Sequence, residues 1–197
     1  MISESNPPLI LASTSPYRRS LLERLGLAFR IADPRVVETP MPGEQPSDLA
    51  TRLACAKASA VAGTHPNSLI IGSDQVAVLD KQILGKPGNH ANAFRQLQQL
   101  SGNTARFLTA VCVYHSGTAK SLVRLVPFEV TFRQLSDDTI ENYLRREQPY
   151  DCAASAKAEA LGIALIARMN GEDPNALIGL PLIALIDLLK GHGLSVL

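Results

Sequence analysis

The chain has 197 residues, of which 46% are hydrophobic and 19% are charged, and its formal net charge is +1. Such a composition predicts a folded globular protein and argues against disorder and against non-specific binding of nucleic acid. No apolar stretch is long enough to span a membrane, and residues 1–8 lack the pattern of a signal peptide. The three cysteines form no Cys-x-x-Cys pair, so we expect a cytoplasmic protein without disulfides or a zinc site.

Strand and helix patterns are interspersed along the whole chain. Apolar runs predict strands at Leu9–Ala12, Ala28–Ala32, Leu69–Leu79, Phe107–Tyr114 and Leu122–Phe132. Helical periodicity predicts helices at Pro16–Leu25, Ser47–Ala62, Ala91–Leu100, Asp137–Arg146 and Leu180–Lys190. The last two strands form a hairpin that turns near Ser116 and Gly117. We therefore expect an α/β fold with a mixed sheet and flanking helices, forming one domain over residues 1–197 with two lobes around a cleft.

Residues 9–26 run from an apolar strand through a hydroxyl-rich loop into a helix. Ser15 is a good N-cap, Pro16 suits the first helical position, and Gly26 suits the position after the helix. The free N–H groups of such a helix start attract anions. The segment predicts a phosphate-binding loop, and its alternative is an ordinary turn with surface arginines. The candidate phosphate ligands are Ser13, Thr14, Ser15, Arg18 and Arg19.

Asp74 stands in the middle of an apolar strand pattern that resumes at Val76. Gly72 suits the close approach of another group to this strand. A buried carboxylate costs several kcal/mol, in order of magnitude, unless it is paired or binds a metal. We therefore expect a functional carboxylate. In the alternative, the strand ends at Gly72, and Asp74 and Gln75 lie in a turn.

Two lysines and one glutamate are further candidates. Lys57 interrupts the apolar stripe of its helix, which fits either a functional lysine or one that reaches solvent from the stripe edge. Lys86 lies between a glycine and a proline, which fits either a phosphate ligand or a plain turn. Glu38 begins a long proline-rich loop. If it meets Asp74 in space, the pair forms a hard-oxygen site for Mg²⁺ or Mn²⁺.

Residues 155–159 alternate polar side chains with alanine. As a strand, the segment places Ser155, Lys157 and Glu159 on one face, whereas a helix makes Ser155 and Glu159 neighbours. A Ser–Lys amidohydrolase dyad is a further interpretation of this segment.

In their order along the chain, these motifs resemble the Maf-like nucleotide pyrophosphatases, and in particular their 7-methyl-GTP pyrophosphatase subfamily. The resemblance extends from Leu9 to about Lys190. It rests on Ser-Thr-Ser-Pro-Tyr-Arg-Arg at 13–19, Glu-Thr-Pro at 38–40, Ala-x-x-Lys at 54–57, Ile-Gly-Ser-Asp-Gln at 71–75, Gly-Lys-Pro at 85–87, Ser-x-Lys-x-Glu at 155–159 and Gly-Leu-Pro-Leu at 179–182.

The resemblance implies an elongated, Maf/ITPase-like α/β fold, a homodimer and a divalent cation, Mg²⁺ or Mn²⁺. It implies hydrolysis of a modified nucleoside triphosphate, 7-methyl-GTP, to 7-methyl-GMP and pyrophosphate, as a house-cleaning reaction. Asp74 would be the proton acceptor, and Glu38 and Asp74 the metal ligands. The other implied residues are Ser13, Arg18, Lys57 and Lys86 for catalysis, and Tyr17, Gln75 and Glu159 for selection of the base.

The chain departs from the family pattern at two positions. Val37 stands where the family commonly has aspartate, so no second metal ligand is expected there. Ala156 stands where an aromatic residue is expected, which predicts a looser pocket wall. The alternative function is a nucleotide-binding regulator of cell division with little turnover. A carboxylate at Asp74 argues against pure polyphosphate binding unless a metal bridges the two.

Overall fold

A computed structural model describes residues 7–197 of the chain, and residues 1–6, for which the sequence predicts no signal peptide, lie outside it. The strands are β1 (Leu9–Ala12), β2 (Phe29–Ala32), β3 (Leu69–Leu79), β4 (Gln82–Leu84), β5 (Thr104–His115), β6 (Lys120–Phe132) and β7 (Ile166–Gly171). The helices are α1 (Pro16–Glu23), α2 (Pro46–Ala60), α3 (His90–Leu100), α4 (Asp137–Glu147), α5 (Pro174–Ile178) and α6 (Leu182–Gly191).

The strands form one seven-stranded sheet in the order β2-β1-β3-β5-β6-β7, with β4 paired to β3. The neighbours β2, β1 and β3 run parallel, whereas β3–β4, β3–β5, β5–β6 and β6–β7 are antiparallel. The predicted mixed sheet with flanking helices is confirmed. Among the described residues, no helix is both long and apolar enough to cross a bilayer.

Strand β3 positions the functional region. One of its faces packs against α2. On the opposite face, Leu69 and Ile71 pack with α1 and α6, whereas Ala77 packs with α3 and α4. Between these two apolar clusters the same face carries Ser73 and Gln75, whose side chains bond to backbone carbonyls of residues 176–179. The middle of β3 is therefore polar on both faces, since Asp74 points to the α2 side.

Helix α2 approaches β3 most closely at Gly72. A Cβ atom at this position would collide with the carbonyl oxygen of Ala54 and would lie 2.7 Å from the amide nitrogen of Ala58. Both atoms belong to the helix backbone, so a rotamer change cannot relieve the contact. The absence of a side chain at Gly72 therefore sets the depth at which α2 packs.

Gly72→Ala should lower the free energy of unfolding by about 2 kcal/mol or more, because overpacking against backbone forces α2 away from the sheet. Urea denaturation of both proteins measures the difference. Gly63→Ala is the matched control, since a Cβ there meets no atom within 4 Å. Equal stabilities of the two variants would contradict the proposed packing constraint.

Three short elements were not predicted from the sequence, namely β4, β7 and α5. Strand β7 lies at the edge of the sheet and is largely exposed, so it lacks the apolar alternation that marks the other strands. The two interpretations of residues 155–159 were both wrong. Ala154 and Ser155 adopt positive φ values of 58° and 55°, and a turn follows, so the segment is neither a strand nor an α-helix.

Candidate active site

A cavity of about 720 Å³ lies beside the middle of β3. Its wall includes the residues that the family resemblance implies for catalysis, metal binding and base selection: Ser13, Tyr17, Arg18, Glu38, Lys57, Asp74, Gln75, Lys86 and Glu159. These residues come from α1 and the loop before it, the loop after β2, α2, β3, the loop after β4 and the segment after α4. The structure thus brings together residues that lie up to 146 positions apart in sequence, while their chemical roles stay predictions.

Asp74, Lys57 and Glu38 form the charged centre of the cavity. The ammonium nitrogen of Lys57 lies 2.6 Å from Oδ1 of Asp74 and 2.6 Å from Oε1 of Glu38. The side chain of Lys57 is 7% exposed and that of Asp74 is 9% exposed. Strand β3 continues through Asp74, so the alternative in which it ends at Gly72 is wrong. The alternative of Lys57 reaching bulk solvent is also wrong, because its charge is buried between two carboxylates.

Asp74 and Glu38 differ in how their surroundings shift their pKa values. Burial raises the pKa of Asp74, although Lys57 and Arg18 act against that rise, and the nearby charge of Glu38 adds to it. Burial acts in the same sense on Glu38, but the charges of Lys57, Lys86 and Arg18 outweigh it and lower its pKa. The pKa values of the two carboxyl groups are therefore shifted in opposite directions. Oppositely shifted proton affinities in a carboxylate pair are typical of acid–base chemistry, which agrees with the predicted role of Asp74 as proton acceptor.

The loop between β1 and α1 provides polar groups on one side of this centre. Ser15 caps α1 as predicted, since its hydroxyl accepts a hydrogen bond from the amide of Arg18 at 3.4 Å. Ser13 is buried, and its hydroxyl accepts from the Ser15 amide at 3.2 Å. Thr14 also lines the cavity. Arg19 does not fit the predicted phosphate-binding loop, because it is exposed and pairs with Glu23 at 2.8 Å.

Arg18 is oriented by the loop between α5 and α6. Its Nε atom donates a hydrogen bond to the Gly179 carbonyl oxygen at 2.9 Å, which leaves the terminal nitrogens for a ligand. The same carbonyl lies 2.9 Å from the hydroxyl of Ser73. Gly179 has a φ of 122°, which favours glycine. Sequence analysis did not single out Ser73, although its place one residue before Asp74 on a buried strand was a usable signal.

The cavity wall also includes Tyr17, Gln75 and Glu159, the predicted base-selecting residues. The amide nitrogen of Gln75 lies 2.8 Å and 3.0 Å from the carbonyl oxygens of Ala176 and Leu177. Because carbonyls only accept hydrogen bonds, the Gln75 amide group must face α5 with its N–H groups. Gln75 can then offer a ligand its carbonyl oxygen, an acceptor. Glu159 is exposed at the cavity wall.

The Ser–Lys amidohydrolase interpretation does not fit this structure. Ser155 is fully buried, and its hydroxyl donates a hydrogen bond to Oε1 of Gln96 at 2.6 Å. The Lys157 ammonium lies 3.6 Å from Glu147. The serine oxygen is therefore held in the protein interior rather than presented to a substrate. Of the two departures from the family pattern, Ala156 lines the cavity, whereas Val37 is 79% exposed.

The mixed sheet and this cavity define the class of the protein: an α/β protein with a cleft in which cationic side chains surround a buried carboxylate. Residues 8–192 match the family described as "Maf-like protein", and the chain belongs to that family.

Two similar proteins, each named 7-methyl-GTP pyrophosphatase, come from Methylobacillus flagellatus and Nitrosospira multiformis. The first is 58% identical over 97% of this chain and 100% of its own length. The second is 57% identical over 95% of both chains. A solved structure of a nucleoside-triphosphatase, dITP/XTP pyrophosphatase, from Mycobacterium abscessus matches 65% of this chain and 75% of its own, with 18% identity and a TM-score of 0.42.

Proposed function

We propose that the protein hydrolyses 7-methyl-GTP to 7-methyl-GMP and pyrophosphate, and so removes a modified nucleotide. The observation that carries the proposal is one cavity whose wall contains both the buried Lys57–Asp74 pair and the residues Tyr17, Gln75 and Glu159. The cationic side chains of this wall suit a triphosphate, and Tyr17, Gln75 and Glu159 suit a purine base. The names of the similar proteins support turnover of this nucleotide rather than regulatory binding alone.

The proposed chemistry begins with a water molecule beside Asp74. Asp74 accepts its proton, and the water oxygen attacks the α-phosphorus with pyrophosphate as the leaving group. Arg18, Lys57 and Lys86 neutralise charge that develops on the phosphate oxygens, and Ser13 orients them with its hydroxyl. Lys57 also holds Asp74 in place, since its ammonium group bonds to one carboxylate oxygen.

A divalent cation is the proposed cofactor. In the part of the chain that the structure describes, no group of three or more His, Cys, Asp or Glu residues is placed to hold a metal ion. In phosphate sites, however, Mg²⁺ takes one or two protein carboxylates and completes its shell with phosphate and water. Glu38 and Asp74 fit that requirement, because Lys57 occupies one oxygen of each. When bound, Mg²⁺ or Mn²⁺ neutralises phosphate charge.

Pyrophosphate release from a panel of ordinary and modified nucleotides tests the proposal. 7-methyl-GTP should give the highest kcat/KM with pyrophosphate as the product, and excess chelator should stop turnover. Release of single phosphate would show that the bond between the α- and β-phosphates is not the one cleaved. Undiminished turnover in excess chelator would exclude the metal. We also propose that the protein is a homodimer located in the cytoplasm. Light scattering tests the homodimer.

Glu159→Gln should lower kcat/KM for 7-methyl-GTP about tenfold more than for GTP or UTP. A charged hydrogen bond to the base is worth about 1.5–3 kcal/mol, and the 7-methylguanine ring carries a positive charge that the glutamine cannot attract. Steady-state kinetics with the three nucleotides measures the ratio. Glu172→Gln, at an exposed glutamate, is the control. An equal loss for every nucleotide would exclude a role of Glu159 in base selection.

A further inference from the structure

The charges around the cavity are unevenly distributed. In the part of the wall formed by residues 13–86, which we call the phosphate end, the cations Arg18, Arg35, Lys57 and Lys86 outnumber the carboxylates Asp33, Glu38 and Asp74. The segment from 147 to 159, which we call the base end, has the opposite balance, since its carboxylates Asp151 and Glu159 line the cavity whereas Lys157 and Glu147, which pair at 3.6 Å, do not. The base end is therefore anionic, which complements a ligand that carries its positive charge on the base.

Lys157 does not cancel this negative charge. Its ammonium lies 3.6 Å from Glu147 and 4.0 Å from Asp151, so one cation is shared between two carboxylates. Burial raises the pKa of the neighbouring Tyr143, and the carboxylates of Glu147 and Glu159 raise it further. Asp151 and Glu159 both line the cavity, and the one ammonium group of this segment is shared between Glu147 and Asp151, so a net negative charge remains at the base end.

Asp151 is the acidic group that is hydrogen-bonded to Tyr17, the predicted base-selecting tyrosine. Its Oδ2 atom accepts a hydrogen bond from the hydroxyl of Tyr17 at 3.3 Å, and its Oδ1 atom accepts from the thiol of Cys152 at 3.4 Å. The Asp151 side chain is 62% exposed and lines the cavity, so its charge is open to a ligand. Tyr17 precedes Arg18 in the first turn of α1, so Asp151 is hydrogen-bonded to the neighbour in sequence of a proposed phosphate ligand.

We propose that Asp151 is a further specificity-determining residue, whose carboxylate favours a positively charged purine base over a neutral one. This inference rests on the proposed function, since it assumes that the base lies beside Tyr17. The Lys157 ammonium lies over the Tyr17 ring, 5.9 Å from its centroid, so the base packs at the hydroxyl edge of Tyr17, next to the carboxylate that accepts from this hydroxyl. Attraction between this carboxylate and a cationic ring stabilises the bound 7-methylguanine, whereas neutral guanine gains little from it.

The substitution Asp151→Asn removes the negative charge at this position and keeps the shape of the side chain. The asparagine oxygen can still accept the hydrogen bond of Tyr17, but the negative charge is lost. We expect kcat/KM for 7-methyl-GTP to fall roughly three- to tenfold, as removal of one partly solvated charge predicts, while kcat/KM for GTP changes less than about twofold. Tyr17→Phe breaks the hydrogen bond and keeps the charge, so it should preserve the preference for 7-methyl-GTP over GTP.

The matched control is Asp33→Asn. Asp33 lines the same cavity and pairs with Arg35 at 3.1 Å, but it follows β2 next to the Ser13 loop, because Ala32 pairs with Ala12. Removing this charge at the phosphate end should change kcat/KM for both nucleotides by the same factor. Equal effects of Asp151→Asn on the two nucleotides, or no effect, would overturn the inference.

Calorimetric binding of 7-methyl-GMP and GMP separates this inference from the proposed function, because it needs no turnover. Asp151→Asn should weaken binding of 7-methyl-GMP about three- to tenfold and leave GMP nearly unchanged. If the natural chain releases no pyrophosphate but shows this pattern, the proposed activity fails and the role of Asp151 stands. If it releases pyrophosphate but the variant binds both nucleotides as the natural chain does, only the role of Asp151 fails.

Discussion

Asp74→Asn should retain the fold and lose about 10²–10⁴-fold in kcat, the range that loss of a general base typically causes. Asparagine keeps the shape of the side chain and can accept the hydrogen bond of Lys57, but it cannot take a proton from water at neutral pH. Pyrophosphate release under saturating 7-methyl-GTP measures the loss. Circular dichroism and thermal melting establish that the variant is folded.

Asp80→Asn is the control for this substitution. Asp80 follows β3 directly and is exposed, so loss of its charge should leave kcat within about twofold. A kcat for Asp74→Asn within a few-fold of the natural chain would exclude Asp74 as the base.

The pH dependence of kcat/KM tests the ionisation of Asp74 independently of the substitution. Because burial raises the pKa of Asp74, the acid limb of the profile should lie above the usual range of an aspartate. The base is active when ionised, so activity should fall as the pH drops through this raised pKa. The pKa of Glu38 is shifted in the opposite direction, so titration of Glu38 should not account for a limb above the usual range of an aspartate.

The sequence was sufficient to find the residues whose chemistry conflicts with their local pattern. Asp74 interrupts an apolar strand, and Lys57 interrupts an apolar helix stripe. In the structure these two side chains meet at 2.6 Å. Each was conspicuous because burial of a charge is costly unless the fold supplies a partner. The glycine at position 72 was equally informative, since it permits the approach of α2 that brings Lys57 to Asp74.

Other features of the cavity depend on contacts that no local pattern encodes. The side-chain direction of Gln75 follows from carbonyls of α5, a helix about 100 residues away that is too short to show a periodic signal. The contact between Asp151 and Tyr17 could not be predicted from the sequence, because exposed aspartates are common in loops. Residues 155–159 were misassigned since alternating alanines fit both a strand and a helix, whereas positive φ values at Ala154 and Ser155 decide the chain path.

Lys57→Met should reduce kcat/KM about 10²–10⁴-fold and also destabilise the protein. Methionine fills a similar volume but leaves Asp74 and Glu38 facing each other without the ammonium that now bonds to both. Removing one partner of a buried ion pair costs about 3–5 kcal/mol, and the exposure of Glu38 places this variant at the lower end of that range. Urea denaturation at neutral pH measures the loss, and pyrophosphate release measures the activity.

The loss of stability in Lys57→Met should depend on pH, in a direction that the ionisation of Asp74 determines. Lys57 lowers the pKa of Asp74, so its removal lets burial and Glu38 raise that pKa further. A carboxylate with a raised pKa in the folded state destabilises the fold when it is ionised, and protonation relieves the cost. The stability difference between the natural chain and Lys57→Met should therefore be largest near neutral pH and shrink as the pH falls, while the acid limb of residual activity moves to higher pH.

Two further variants complete this test. Lys57→Arg restores a positive charge and should recover most of the stability, but its wider, planar head group cannot reproduce both short contacts, so activity should recover only in part. Lys81→Met removes an exposed lysine from the turn after β3 and should change the free energy of unfolding by less than about 0.5 kcal/mol. A stability loss in Lys57→Met that is the same at every pH would mean that the lysine contributes packing alone. In that case the charge of Lys57 would not control the ionisation of Asp74, and the proton-acceptor assignment would lose its electrostatic basis.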